Sequence, residues 1–565
     1  MRVGNRRRES VAHRISALIE SALVSSLSVR SVSLQDAKVR LILQLCNKIK
    51  GKALYFMNNG HKTMGVIARQ SIKGALANYL GVAIGFFTTF FVLTRCLTEE
   101  EIGLTRVMVD AAMLFSGLAQ LGTNASIIRF FPHFKNERDN HGIFGLSLLL
   151  PLMGFLLFAL FFLVFRGPLQ TLYAGKSPLM ADYFYLLPML TFFALYMTVF
   201  ETNASVLLRI TVPKLVREVG VRLFNLGAYL LYGYGVIGLD IFVWMFCGSY
   251  ALAMILNLLY LISLGHISFR IDWQFLTRER VKEIVRYTLF MTATVLAGNI
   301  PLFNSLFLGA KTGLALTGVY TIAFYIANVV EVPYRSLGAI SRPVVAAAVK
   351  DNDWSEVNRL GRQVSLHQFL VSMAIFYLIW INLPTLYAFI PNGASYVGGM
   401  GVVLLLGMAK VVNSSLSIGT DVLNYSRHYP RALLFIGVLT ASAIGLNAWL
   451  IGLWGINGAA AATLLSYGLY FLLLLLYLWR KLGVSLFSAG QLKVIAIMAV
   501  GFGLNLLWNH FLTPFITHHS SFVTLLVDAV LKTFVLLLVL AVATYAWKVS
   551  DMVNGMVDKV LKYRR

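Results

Sequence analysis

Residues 104–122 read LTRVMVDAAMLFSGLAQLG, and this stretch decides the fold class of the chain. With its flanks, at 103–125, it is long enough to cross a hydrocarbon core about 30 Å thick as an α-helix. Arg106 and Asp110 lie inside it, one helical turn apart. A charged side chain at mid-bilayer costs at least about 2.5–3.5 kcal/mol, so such residues normally have a partner or face water. The stretch therefore predicts a membrane helix within a larger helical bundle.

Apolar runs of similar length recur along the whole chain. Of its 565 residues, 58% are hydrophobic and 13% are charged, and the mean hydropathy is +0.74. This composition excludes a soluble domain, whose surface needs more polar residues. We count about fourteen predicted spans. They lie near 74–94, 103–125, 143–165, 180–201, 221–237, 240–264, 286–309, 313–335, 366–390, 397–423, 431–452, 455–479, 490–512 and 522–547. The fold class is an all-α polytopic membrane protein.

The net charge of +24 is distributed unevenly between the two sides of this predicted bundle. The first 73 residues contain 14 Lys and Arg, and later loops and ends on the same side contain 27 more. The opposite side contains four, which are Arg95, Arg166, Lys176 and Lys311. Such a bias follows the positive-inside rule and predicts that both termini are cytoplasmic. It accounts for the basic composition without nucleic acid, which we do not expect as a partner.

An internal repeat divides the membrane region into two halves. The tetrapeptide TLYA occurs at 171–174 and again at 385–388, an offset of 214, each time after an apolar span. Two further pairs share an offset of 215: Gly103 with Gly318, and Lys135 with Lys350. Parallel repeats related by an axis along the membrane normal are a transporter architecture. We therefore predict two six-helix lobes around a central cavity, followed by two C-terminal helices.

The predicted organisation has five parts. Residues 1–63 form a basic cytoplasmic extension, which is disordered or precedes the true start at Met64. Residues 64–264 form the first lobe, 265–285 an amphipathic cytoplasmic linker, and 286–480 the second lobe. Residues 481–565 contain the last two spans and a cytoplasmic tail.

Four segments resemble bacterial polysaccharide transporters, the O-antigen and exopolysaccharide flippases. They are GINGAAAATLLSYGLYFLLLLLYLWRKLG (455–483), RQSIKGALANYLGVAIGF (69–86), LTEEEIGLTRV (97–107) and GVYTIAFYIANVVEVPYRSLGAISRPVVAAAV (318–349). The resemblance implies the two-lobe fold of the multidrug/oligosaccharidyl-lipid/polysaccharide superfamily. It also implies a substrate, an undecaprenyl-diphosphate-linked oligosaccharide moved from the cytoplasmic to the periplasmic leaflet of the bacterial inner membrane. Membrane lipid, a polysaccharide polymerase and glycosyltransferases are the other expected partners.

Three alternatives remain open at the level of sequence. A peptidoglycan-precursor flippase of the same superfamily is the first, since such proteins also have fourteen spans. A multidrug exporter of the superfamily is the second, although the first span lacks the acidic residue and proline usual there. A membrane-embedded polymerase or acyltransferase is the third, but the outward loops are short. No phosphate-binding GxxxxGK[ST] loop is present, so we expect no ATP hydrolysis, and the cysteines have no metal-ligand spacing. We expect a transporter without enzyme activity or a cofactor.

The candidate binding residues are the polar side chains within predicted spans. Arg106 and Asp110 share a helix face, so they form a self-contained pair or line the cavity, where the arginine can bind a diphosphate. Lys410 has no acid within one turn on either side. We therefore expect its ammonium group to pair with an acid of another helix, to bind an anionic substrate or to reach the lipid interface. The full set of candidates is Lys410, Arg106, Asp110, Asn299, Asn304, Asn328, Glu331, Arg335, Asn413 and Asp421.

Overall fold

The computed structural model describes residues 66–134, 140–265, 270–272, 275–297, 300–516, 522–550, 554–555 and 558. By its internal contacts the chain divides into residues 1–69 and 70–565. The second unit contains the helical bundle. The predicted extension at 1–63 lies outside the described residues.

Within the described residues, the first half of the bundle comprises ten α-helices, numbered in chain order. They are α1 (Val66–Phe87), α2 (Thr94–Cys96), α3 (Glu99–Ala119), α4 (Thr123–Phe134), α5 (Ile143–Ala174), α6 (Pro178–Asp182), α7 (Leu187–Val206), α8 (Thr211–Leu215), α9 (Val221–Gly233) and α10 (Leu239–Ser263). Short π-helical segments at Thr88–Leu93 and Val216–Gly220 extend α1 and lead into α9. Single 3-10 turns at Asn140–Gly142 and Phe184–Leu186 precede α5 and α7.

The second half and the C-terminal pair comprise the remaining helices. They are α11 (Arg278–Ala297), α12 (Ile300–Lys311), α13 (Leu314–Asn328), α14 (Val332–Lys350), α15 (Trp354–Ile381), α16 (Leu383–Phe389), α17 (Met400–Tyr425), α18 (Pro430–Leu482), α19 (Ala489–Ile516) and α20 (Phe522–Ala546). A 3-10 turn at Val329–Glu331 joins α13 to α14, and another at Gly393–Gly399 leads into α17.

Within the described part of the chain, eleven helices are long and apolar enough to cross a membrane. This confirms an all-helical, multi-pass membrane protein, while the count of fourteen spans stays a prediction. The other three predicted spans correspond to irregular segments. The fifth is the short α9, and the seventh is divided between α11 and α12. The eleventh and twelfth join in α18, which bends at Gly455, where φ is 54°.

The two halves meet in contacts that are related by the repeat. A Cβ atom added to Gly103 of α3 would lie 2.0 Å from the carbonyl oxygen of Leu314. A Cβ added to Gly318 of α13 would lie 2.0 Å from the carbonyl oxygen of Glu99. Gly318 lies 215 positions after Gly103, and Leu314 lies 215 positions after Glu99. The repeat offset therefore relates the two contacts to each other. The halves therefore use one self-complementary patch twice, as in a two-fold interface.

A second pair of contacts follows the same rule. The hydroxyl of Ser177 donates to the carbonyl oxygen of Gly309 at 2.6 Å, and the side-chain amide of Asn392 donates to that of Thr94 at 3.0 Å. We call these two hydrogen bonds and the two glycine contacts the clamp. Small residues let the backbones of α3 and α13 touch, which strengthens van der Waals packing between membrane helices. The clamp lies at the end of the bundle that the charge bias predicts to face outward.

The predicted linker packs against the first half where it is described. Phe275 stacks on the ring of His141 with centroids 4.0 Å apart, and Nδ1 of His141 lies 2.9 Å from a carboxylate oxygen of Asp272. Ile284, at the start of α11, is buried in a cluster with Phe130 of α4. Apolar side chains of this predicted amphipathic linker therefore pack against protein.

Candidate functional site

The first positively charged residue of the candidate site is Arg106, and the start of α3 positions it. Thr98 and Glu101 form a capping box: the Thr98 hydroxyl accepts from the Glu101 N–H at 3.3 Å, and the Glu101 carboxylate accepts from the Thr98 N–H at 2.8 Å. This fixes the first turn of the helix. Arg106 and Asp110 follow on one face, and Nε of Arg106 lies 2.5 Å from Oδ2 of Asp110. The predicted local pair is therefore present.

This pair contacts the second half of the bundle on two sides. Ser305 of α12 donates its hydroxyl to Oδ2 of Asp110 at 2.6 Å. The guanidinium carbon of Arg106 lies 4.4 Å from the centroid of the Phe324 ring, on α13. Both side chains of the pair are at most 10% exposed. The pair is thus buried at the interface between the halves, and each member has a partner across it.

Lys410 of α17 has its acid on another element. Its Nζ lies 3.2 Å from Oε2 of Glu331, in the turn between α13 and α14, and the amide of Asn413 donates to Oε1 of the same carboxylate at 2.9 Å. Lys410 is 5% exposed and Glu331 is 9% exposed. The sequence left three possibilities for the ammonium group of Lys410. The structure shows the first of them, a salt bridge to an acid on another element. Lys410, Asn413 and Glu331 are all among the predicted candidates, and the structure brings Glu331 together with the other two.

Phe324 connects the two ion pairs. Nζ of Lys410 lies 5.5 Å from the centroid of this ring, which Arg106 also contacts. A cation near an aromatic face gains about 0.5–2 kcal/mol from the ring quadrupole, most when both are desolvated. We call Arg106, Asp110, Phe324, Glu331 and Lys410 the Phe324 site. It contains two cations and two carboxylates, and it draws one ion pair from each half of the chain.

Asn304 belongs to a different polar cluster, inside the second half. Its amide donates to the hydroxyls of Tyr320 and Thr463, each at 2.7 Å, and its Oδ1 accepts from the amide of Asn447 at 2.9 Å. These bonds join α12, α13 and both arms of α18. Buried polar groups that are paired in this way fix helix register. In this arrangement Asn304 bonds to neighbouring helices rather than pointing at the Phe324 site.

Asp421 also lies apart from the Phe324 site. Its carboxylate accepts from Nε of Arg342 at 3.1 Å, and Arg342 donates further to the Tyr334 hydroxyl at 2.7 Å. Asn328 is half-buried at the end of α13. The side chain of Arg335 and all of Asn299 lie outside the described residues, so their predicted roles stay predictions.

Three contributors were not recognisable in the sequence. Phe324 and Ser305 are ordinary residues of apolar helices, and no local pattern distinguishes them from residues that only pack. Arg342 was counted only as a cytoplasmic charge. Their roles depend on contacts between helices distant in sequence. Within the described residues, no group of three or more His, Cys, Asp and Glu side chains is arranged to hold a metal ion.

Known proteins share both a sequence family and this fold with the chain. Residues 68–346 match the family described as "Polysaccharide biosynthesis protein". The structure titled "Lipid II flippase MurJ, inward closed conformation" aligns with 82% of this chain and 98% of its own, with a TM-score of 0.61 and 11% identity. An inward-facing multidrug resistance MATE family transporter of the MOP superfamily aligns with 74% of this chain and 98% of its own, with a TM-score of 0.55 and 16% identity. No curated protein sequence matches the chain.

Proposed function

We propose that the chain moves an undecaprenyl-diphosphate-linked oligosaccharide across the bacterial inner membrane, because residues 68–346 match a polysaccharide biosynthesis family and the chain shares its fold with a lipid II flippase. Transfer runs from the cytoplasmic to the periplasmic leaflet, by alternating opening of the two halves. The product serves surface polysaccharide synthesis, such as that of O-antigen, capsule or exopolysaccharide.

One observation carries this proposal: buried cations from opposite halves converge on Phe324. A diphosphate carries about two negative charges and is bound well by a guanidinium and an ammonium group together. Separation of the halves at one end would carry Arg106 away from Phe324 and admit water between the two ion pairs. A diphosphate entering that space could contact Arg106 on one side and Lys410 on the other.

The carboxylates then have a definite role. While the site is empty, Asp110 and Glu331 neutralise cations that would otherwise be costly to bury. Substrate must compete with them, so the site releases its head group when the carboxylates return to their partners. The membrane potential favours the outward step, since moving one charge across 100 mV is worth about 2.3 kcal/mol.

Deletion of the gene tests the function directly. We expect loss of surface glycan and accumulation of the lipid-linked oligosaccharide in the inner leaflet, because synthesis continues while transfer stops. Mass spectrometry of extracted lipids measures the intermediate, and complementation with the intact gene is the control. Normal glycan together with increased drug sensitivity would favour a multidrug exporter instead.

A peptidoglycan-precursor flippase is the second candidate function. It is favoured by the fold match to a lipid II flippase along 98% of that protein. The same lipid extract separates the two functions. Accumulation of lipid II with cell lysis, rather than of a surface-glycan intermediate, would select this candidate.

The proposed orientation makes its own prediction. Single cysteines are introduced into a background in which Cys46, Cys96 and Cys247 are serine. Those in 95–102, 166–179 and 510–521 should react with a membrane-impermeant thiol reagent added outside the inner membrane. Those in 265–285 should react only after permeabilisation, because the positive-inside rule places this linker in the cytoplasm. Labelling of 265–285 from outside would contradict the proposed orientation.

A further inference from the structure

We propose that the junction of α17 and α18 binds the phosphate of an anionic membrane lipid. The residues are Arg427, His428, Arg431, Tyr477 and Lys481, which we call the His428 cluster. Arg427 and His428 lie in the turn between α17 and α18, Arg431 lies in the first turn of α18, and Tyr477 and Lys481 lie near its end. The cluster shares no residue with the Phe324 site, and the proposal does not depend on what the protein transports.

The cluster contains more hydrogen-bond donors than acceptors. Nδ1 of His428 lies 2.8 Å from the Tyr477 hydroxyl and 3.1 Å from Nη1 of Arg431, while Nε of Arg427 points at Nε2 of the same ring from 3.4 Å. Arg431 also donates to the Tyr477 hydroxyl. A neutral imidazole offers one acceptor nitrogen, and the other bears a hydrogen. Donors therefore face both sides of a ring that can accept on only one.

The cluster also has an uncompensated positive charge. Among the described residues, no carboxylate forms an ion pair with Arg427, Arg431 or Lys481. Partial burial and the charges of Arg431, Arg427 and Lys481 lower the pKa of His428 below its ordinary value. A phosphate group would supply both the missing acceptors and the missing negative charge, and paired guanidinium groups suit its geometry.

The surroundings favour a lipid over a soluble anion. Leu434, Trp479 and Tyr429 flank the cluster and are 66%, 62% and 54% exposed. Exposed aromatic side chains beside basic ones are typical of the head-group level of a bilayer, where anionic lipid attracts Lys and Arg. A lipid phosphate held by the cluster would leave its acyl chains along the apolar surface that begins at Leu434.

Binding of phosphatidylglycerol to the purified full-length protein tests the proposal. Native mass spectrometry compares the intact protein with Arg427→Gln/Arg431→Gln, and with the control Arg278→Gln/Lys282→Gln. The control removes two exposed positive charges from the same predicted side, on α11, which contributes no residue to the cluster. We expect affinity to fall about thirtyfold in the cluster variant and to stay within about twofold in the control.

The pH dependence supplies a second readout. A bound phosphate offsets the cations that lower the pKa of His428, so binding and protonation of the ring favour each other. Affinity for phosphatidylglycerol should therefore rise as the pH falls toward 5, and His428→Gln should flatten this dependence. Arg427, Arg431, Lys481 and Tyr477 face the ring and are unchanged in that variant.

Any one of three results would overturn the proposal. Equal binding of phosphatidylglycerol by the intact protein, the cluster variant and the control would remove the cluster as a lipid site. Displacement of the lipid by millimolar inorganic phosphate, or equal retention of phosphatidylcholine, would show that the cluster does not select an anionic lipid.

Discussion

The Lys410→Met variant is expected to accumulate poorly in the membrane, because it leaves Glu331 buried without its cation. Breaking a buried ion pair from one side costs about 3–5 kcal/mol, a large fraction of the stability of a typical domain. Asn413 still donates to this carboxylate but carries no charge. Immunoblotting of membrane fractions and thermal unfolding of the purified protein measure the loss.

The neutral double variant Lys410→Met/Glu331→Gln should restore accumulation, since no buried charge is left unpaired. A transport assay then distinguishes a substrate-binding role of Lys410 from a purely structural one. If its ammonium binds the diphosphate, the double variant will accumulate normally and still fail to move the lipid-linked oligosaccharide. Lys410→Arg should retain part of the activity, because it keeps the charge. A double variant with normal glycan export would show that Lys410 only stabilises the fold.

Gly103→Ala is expected to force α3 and α13 apart, although alanine is the better helix former. Its Cβ would lie 2.0 Å from the carbonyl oxygen of Leu314, and backbone cannot move aside as a side chain can. Overpacking of this kind costs about 1–3 kcal/mol. We expect a lower midpoint of thermal unfolding and easier opening of the clamp. A cysteine replacing the buried Thr105 should then react faster with a thiol reagent.

Gly227→Ala is the matched control, because no atom lies within 4 Å of the added Cβ. It makes the same chemical change inside α9 and carries the same gain in helix propensity. Gly318→Ala should behave like Gly103→Ala, since the clamp uses both positions in the same way. If Gly103→Ala unfolded and reacted like the Gly227→Ala control, the clamp would not hold the halves together.

Much of the fold could be predicted because its signals are local. An apolar run of about 20 residues specifies a membrane helix wherever it occurs, and a repeated tetrapeptide reveals related halves. The pair Arg106–Asp110 was predictable for the same reason, since i and i+4 share a helix face. The limits of α18 were harder to predict, because the bend at Gly455 continues one helix into the next.

The partner of Lys410 could not be predicted in this way. Glu331 lies 79 positions earlier in the chain, and nothing in either segment specifies that their helices adjoin. Asp421 lies on the same helix as Lys410, yet it pairs with Arg342 of another helix. Pairing between helices depends on rotation and depth in the assembled bundle. The sequence could thus identify the charged residues, but it could not identify which of them form ion pairs with each other.

The clamp shows that the two halves retain matching contacts. A two-fold repeat of this kind could also place each charged residue at matching positions in both halves. At the offset of 215, however, the counterparts of Arg106 and Asp110 are Thr321 and Tyr325, which carry no such charges. The repeat is therefore present in the clamp contacts and absent from the charged pair Arg106–Asp110. A single set of charges would suit the proposed substrate, whose one charged head group would contact different residues in the two halves.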